Sequence, residues 1–244
     1  MSGHSKWATT KHHKAAMDSK RAKMFQKFSK EIIVAATIGG PDPDSNPALK
    51  LAITKAKAKS MPKANIEKAI QKVKGGSREG SDFQSYIYSG SAFGGVNFVV
   101  SCLTDNFNRL SSNIKHYFNK CNGQLGKQGT ASYVFDQKGI IEFETQSLSE
   151  DEVMLVSLEA GAEDFKVEDG LFIITTKPSD FQKVKQAIDE AFNIENYSTA
   201  EVTYVTNSEV EVDEERAEKI NKFVDLLEDD EDVQEVWHNA ILPQ

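Results

Sequence analysis

Residues able to do chemistry are few in this chain and poorly spaced for it. Its five histidines are His4, His12, His13, His116 and His238. The adjacent pair His12 and His13 lacks the i, i+4 spacing that brings two imidazoles onto one helical face, so no metal site is expected. Cys102 and Cys121 are too far apart for a CxxC motif, and each lies in an apolar pattern that reads as a buried, reduced thiol. The acids Glu228, Asp229, Asp230, Glu231 and Asp232 form a dense run, which reads as a solvated helix end. "SGSAFGG" is glycine-rich but lacks the Lys-Ser/Thr of a phosphate-binding P-loop. The stretch from Ser101 to Asp105 offers no nucleophile paired with a base. No catalytic residue, metal ligand, cofactor or small-molecule substrate is expected, and the chain does not read as an enzyme.

What remains is charge, and it is unevenly spread. Residues 1–75 carry 16 Lys and Arg against 5 Asp and Glu, a net of +11, and the remainder carries a net of −19. The overall charge of −8 therefore conceals a basic region, and a basic region points to a polyanion. That region opens with "GHSKWATTKHHKAAMDSKRAK", in which Trp7 and Met17 are the only large apolar side chains. Such a segment cannot bury enough apolar area to offset its ordering entropy, so a partner is expected. Its candidate nucleic-acid contacts are His4, Lys6, Trp7, Lys11, His12, His13 and Lys14. Trp7 has two readings, stacking on a base or sugar and packing onto the helices that follow.

The elements that would position these groups follow from the periodicity. Residues 18–38 read as a helix, with Asp18 as N-cap and Gly39-Gly40-Pro41 as the stop. Phe25, Phe28, Ile32 and Ala36 share one face, and Lys20, Lys23, Lys27 and Lys30 fall on the opposite one, with Arg21 beside them. Glu31 is the only acid between Asp18 and Asp42, whereas a simply solvated face would interleave glutamates. Asn46-Pro47 and Pro62 open two further helices, the second ending at Gly75-Gly76. Residues 1–76 thus read as a lysine-coated helical domain with an N-terminal arm.

Strand character then takes over. "FQSYIYSG", "GGVNFVVSCLTD" and "SYVFD" read as strands, with an amphipathic helix "FNRLSSNIKHYFNKC" before the third. From residue 138 to 206 the pattern is βαββαβ, including a hairpin at Asp169-Gly170, which is the ferredoxin-like order. The tail supplies one more helix and strand that can complete the preceding unit. The fold class is α+β: an N-terminal helical domain followed by two ferredoxin-like α+β domains, one inserted in the other. The boundaries read as 1–76, then a discontinuous domain of 77–137 and 207–244, and an inserted domain of 138–206. Two further contacts are weighed in the discontinuous domain. Asn106, Asn108 and Arg109 begin a helix, where they suit either phosphate or plain N-capping. Lys127 lies in a polar loop, Gly126 to Thr130, that reads as backbone-contacting or as an ordinary connection. No run of apolar residues is long enough for a membrane span and no secretory signal is apparent, so the expected location is the cytoplasm.

Several segments together carry a family likeness. "GHSKWATTKHHKAAMDSKRAKMF", "GGPDPDSNPALKLAI", "CLTDNFNR", "LEAGAED" and "DDVQEVWHN" stand in an order that resembles the YebC family along essentially the whole chain. The resemblance implies three domains, no established catalytic centre, and a transcriptional regulator that binds DNA. It also implies relatives that act in translation: mitochondrial activators of cytochrome c oxidase synthesis, and bacterial ribosome-associated factors that ease stalling at proline runs. This chain departs from the family pattern at Ser91-Ala92-Phe93-Gly94-Gly95, where a Tyr-Gly-Pro-Gly-Gly-type turn is usual, and at Phe107, where Arg is frequent. The function expected is a nucleic-acid-binding regulator of gene expression. The partner is duplex DNA or, as the alternative, ribosomal RNA in the ribosome; a non-catalytic protein adaptor is the third reading. An adaptor leaves the basic arm unexplained.

Overall fold

A computed structural model describes residues 17–76, 82–127, 133–145 and 148–243, with the backbone alone for residues 17–20. Mixed α+β structure is observed, with helices first and two antiparallel four-stranded sheets after them. The chain divides into two compact units. The first contains residues 1–27, 82–136 and 206–244, and the second contains 28–81 and 137–205.

Helix α1 (Met17–Gly39) holds Asp18 inside its described span rather than at its cap. It buries Phe28, Ile32 and Ala36, as the spacing predicts, together with Ile33 and Val34. Gly40 adopts a left-handed φ of 94°, which ends the helix where an L side chain would be strained. Asn46 then does two jobs from a nearly closed position. Its side-chain Nδ2 donates to the carbonyls of Ala35 and Gly40, both at 2.8 Å, and its Oδ1 accepts from Leu49 N at 3.1 Å. One amide thus satisfies the last turn of α1 and the first of α2 (Pro47–Ala58). The short link to α3 (Lys63–Lys74) turns at Ser60, whose φ is +60°, and buries Met61 beneath it.

The first unit centres on a sheet of order β3–β1–β2–β9, built from β1 (Gln84–Ala92), β2 (Val96–Thr104), β3 (Gln124–Leu125) and β9 (Val233–His238). All three pairings are antiparallel. Alternation along β2 sends Val96, Phe98, Val100 and Cys102 into one core with Leu110, Ile114 and Phe118 of α4 (Phe107–Lys120). Ile220, Phe223 and Leu227 of α7 (Glu214–Glu228) join the same core. The "SAFGG" stretch is the β1–β2 turn: Phe93, Gly94 and Gly95 all have positive φ, and Arg216 donates to the carbonyls of Phe93 and Gly94. A short parallel pair, β8 (Val210–Glu211) with β10 (Ala240–Ile241), lies outside the sheet.

The second unit carries the βαββαβ series: β4 (Phe135–Glu144), α5 (Glu150–Ala160), β5 (Asp164–Glu168), β6 (Leu171–Thr176), α6 (Phe181–Phe192) and β7 (Thr199–Thr206). The strand order β5–β6–β4–β7 is that of a ferredoxin-like sheet. Asp169 and Gly170 both take positive φ, the hairpin turn their dipeptide predicts. One expectation fails here: "SYVFD" is not a strand of its own, because its Phe135 and Asp136 open β4, which runs on through "GIIEFE". Gly139 within it marks a close approach, because a Cβ there would sit 2.2 Å from Thr176 Oγ1. Ile141, Phe143, Phe172, Ile174, Phe181, Val184 and Ile188 form the core, and Leu51 and Ala58 of α2 pack against it. Lys59, just past α2, places Nζ 3.9 Å from the buried Glu201 carboxylate on β7.

Candidate nucleic-acid interface

The basic candidates divide into three groups. His4, Lys6, Trp7, Lys11, His12, His13 and Lys14 lie outside the described residues, as does the side chain of Lys20. On α1, Arg21 and Lys23 are exposed, while Lys27 and Lys30 are half-buried, so the stripe is not one uniformly wet face. The third group was only partly visible in the sequence: Lys50 and Lys57 on α2, and Lys63, Lys68, Lys72 and Lys74 on α3, are all exposed.

In the first unit, two α1 lysines meet the acidic end of α7. Lys23 Nζ lies 2.6 Å from Asp229 Oδ1, and Lys27 Nζ donates to the Glu228 carbonyl at 2.8 Å. Burial pulls the Lys27 ammonium below its ordinary value, and the nearby Glu228, Asp230 and Glu235 carboxylates partly restore it.

The outward face of α3 has a different character. Ile66 and Ala69 are buried, which leaves Ala64, Asn65, Lys68, Gln71 and Lys72 within an arc of about 120° on the solvent side. Lysines there can meet phosphate oxygens, and an Asn or Gln amide can pair with an adenine edge in a major groove. Asn65 and Gln71 were not among the predicted contacts. Their signal was their place at the two edges of that solvent-side arc, away from the stripe of Ile66, Ile70 and Val73.

Residues 105–117 behave otherwise. Asn106 caps α4 by accepting from Arg109 N at 3.0 Å, the plain capping reading. Arg109 grips Asp232 with Nε and Nη2 at 2.9 and 2.8 Å, and reaches Asp105 at 3.1 Å. Those carboxylates hold the guanidinium firmly charged, with the Asp232 hydrogen bonds the largest cause. Asp230 accepts from Asn113 Nδ2 at 2.9 Å and from Tyr117 Oη at 2.8 Å. Burial, then that hydrogen bond, push the Tyr117 phenol up to about 12. Asp232 is only 1% exposed and Asp230 8%, so these two acids are interior structure and not a solvated helix end. Arg109, Asn113 and Tyr117 recur every four residues on α4, the sequence signal for this receptor of carboxylates. Asn108 and Lys127 are exposed. Phe107 lies against Tyr86 with ring centroids 5.1 Å apart.

Among the described residues no group of His, Cys, Asp or Glu could hold a metal ion, and no helix is long and apolar enough to cross a membrane. His238 is buried, with Nδ1 accepting from Ala240 N at 3.2 Å, and Cys102 is a buried free thiol.

Comparison with known proteins adds the relationship. Residues 5–76 match the family model of the TACO1/YebC protein N-terminal domain, and residues 83–240 match that of the TACO1/YebC second and third domain. A probable transcriptional regulatory protein of Metamycoplasma arthritidis is 70% identical over 240 residues, covering 98% of each chain. One from Mycoplasma mobile is 52% identical, covering 98% of this chain and 99% of its own. The crystal structure of a conserved hypothetical protein from Aquifex aeolicus superposes with a TM-score of 0.77 at 41% identity, covering 98% of both chains. With family models matching residues 5–76 and 83–240 and relatives this similar over 98% of the chain, the chain belongs to the TACO1/YebC family.

Proposed function

We propose that the chain is a nucleic-acid-binding regulator of gene expression that acts on duplex DNA through its basic N-terminal region. The observation that carries this reading is the α2–turn–α3 segment, whose outer face combines Lys68 and Lys72 with Asn65 and Gln71. Lysines supply the sequence-independent grip on phosphate, and the two amides supply base-reading groups on the same face. The names of the relatives, probable transcriptional regulatory proteins, support the same reading. The arm, with Lys6, Lys11, Lys14 and Trp7, adds charge and one stacking surface. The strongly acidic remainder keeps the polyanion confined to the basic region. No catalytic role enters, and the cytoplasm is the compartment proposed.

Ribosomal RNA is the second reading, and one observation favours it: α3 carries no Arg, the side chain that most often reads guanine in duplex DNA. A lysine surface, in a sequence whose basic arm also carries Trp7, suits a backbone whose bases can be splayed out and stacked. Crosslinking in cells followed by sequencing of the recovered nucleic acid separates the two. Promoter DNA supports the first reading, rRNA supports the second, and recovery of neither leaves the protein-adaptor role.

A further inference from the structure

Helix α5 carries Val153, Met154, Leu155, Val156, Leu158 and Ala160 within 11 residues, more apolar side chains than its inner side can bury. Its inner side is covered, since Val153 and Ala160 enter the ferredoxin-like core and Ser157 is fully buried. Its outer side is not. Met154, Leu155 and Leu158 are 38, 57 and 46% exposed, and at 100° per residue they lie within an arc of about 100°. Exposed large apolar groups scattered singly need no explanation, but three on one helix face mark a contact surface.

The rim gives the chemistry of the partner. Asp151 heads the stripe one turn before Leu155, and Glu150 and Glu159 flank it, all three exposed. No Lys or Arg occurs from Leu148 to Phe165. Such a rim repels phosphate, so neither nucleic acid nor an anionic membrane fits it. A second copy docking by two-fold symmetry would set one acidic rim against another. Strand addition is disfavoured too, because the neighbouring edge strand β5 carries exposed Asp164 and Lys166. From this surface we infer that the outer face of α5 docks a basic amphipathic helix of a partner protein, with leucine-type anchors on the stripe and Lys or Arg on the rim. This site is separate from the lysine-bearing helices and does not depend on which nucleic acid they bind.

The probe is a synthetic helical peptide of about 18 residues, Leu and Ala on one face and Lys on the other, titrated against the full chain by fluorescence anisotropy. Its counterpart carries Glu in place of Lys. The Lys peptide binds, and the Glu peptide binds at least about tenfold more weakly. The double variant Leu155→Ser with Leu158→Ser loses about tenfold or more in affinity, as expected for central anchors, with its melting midpoint unchanged. Asp151→Asn with Glu159→Gln weakens binding a few-fold and flattens its salt dependence. Should the serine variant fail to fold, the methyl resonance of Met154 in the wild-type chain reports instead: the Lys peptide shifts it. The inference is overturned if the Lys peptide does not bind, if both peptides bind alike, or if the serine variant binds undiminished. An unmoved Met154 methyl overturns it, as does a wild-type dimer in sedimentation that the serine variant abolishes.

Discussion

The acids at the end of α7 and the lysines of the N-terminal helices are both dense runs of one charge, yet the protein treats them in opposite ways. Asp230 and Asp232 are drawn inside and satisfied by Arg109, Asn113 and Tyr117, all on one face of α4. Lys50, Lys57, Lys68 and Lys72 stay at the surface, on helices whose buried faces are apolar. A run of charge is structural when the fold itself supplies partners at matching spacing. It is a candidate interface when the fold leaves it at the boundary with water. Between these extremes stand Lys23 and Lys27, which meet Asp229 and the Glu228 carbonyl at the edge of the acidic turn.

The largest expected effect tests the structural half of that contrast. Arg109→Ala leaves Asp232 buried without its cation, which should cost about 3–5 kcal/mol of stability in chemical denaturation. Adding Asp232→Ala should recover part of the loss. If Arg109→Ala proves neutral, the acids are not held as described. Next comes the arm. Trp7→Ala should cost about 1–3 kcal/mol in nucleic-acid binding, the range for stacking on a base, and leave the melting temperature nearly unchanged. A drop of about 3–5 kcal/mol in stability with unaltered binding would make Trp7 a core residue instead. The smallest effect sits at the edge between the two regions. Asp229→Asn frees Lys23 from an exposed ion pair, for which about 0.2–1 kcal/mol is typical, so affinity for DNA or RNA should rise by no more than about fivefold. A fall in affinity would show that Lys23 needs its acid in order to bind.

Much of the fold could be read from local signals. Asn46-Pro47, Pro62 and Asp169-Gly170 each punctuate an element through chemistry contained in a few neighbouring residues. What could not be read depends on contacts distant in sequence. The acidic run looked solvated because its receptor, Arg109 to Tyr117, lies more than 110 residues away. Leu51 and Ala58 pack against the ferredoxin-like core and Lys59 meets Glu201, and small residues such as Ala58 give little warning of such contacts. A cut at residue 76 therefore strips a covered face from the second unit, and charge is better tested by substitution in the full chain. β4 runs unbroken through Gly139, where the missing side chain answers a close packing contact with Thr176 and Phe181.

The slope of log K against log salt for the full chain on duplex DNA tests the central claim, that the surface lysines of the N-terminal helices grip phosphate. If Lys50, Lys57, Lys68 and Lys72 each neutralise one phosphate, replacing all four with Gln should flatten the slope by about 3.6, or by about 2.8 on a single strand. Replacing Lys20, Lys23, Lys27 and Lys30 should flatten it by less, because Lys23 and Lys27 already meet the acidic turn. Binding should weaken alike for every sequence tested, with the melting temperature unchanged. A slope that stays the same in both quadruple variants would contradict the claim, and the basic N-terminal helices would not be where this protein holds nucleic acid.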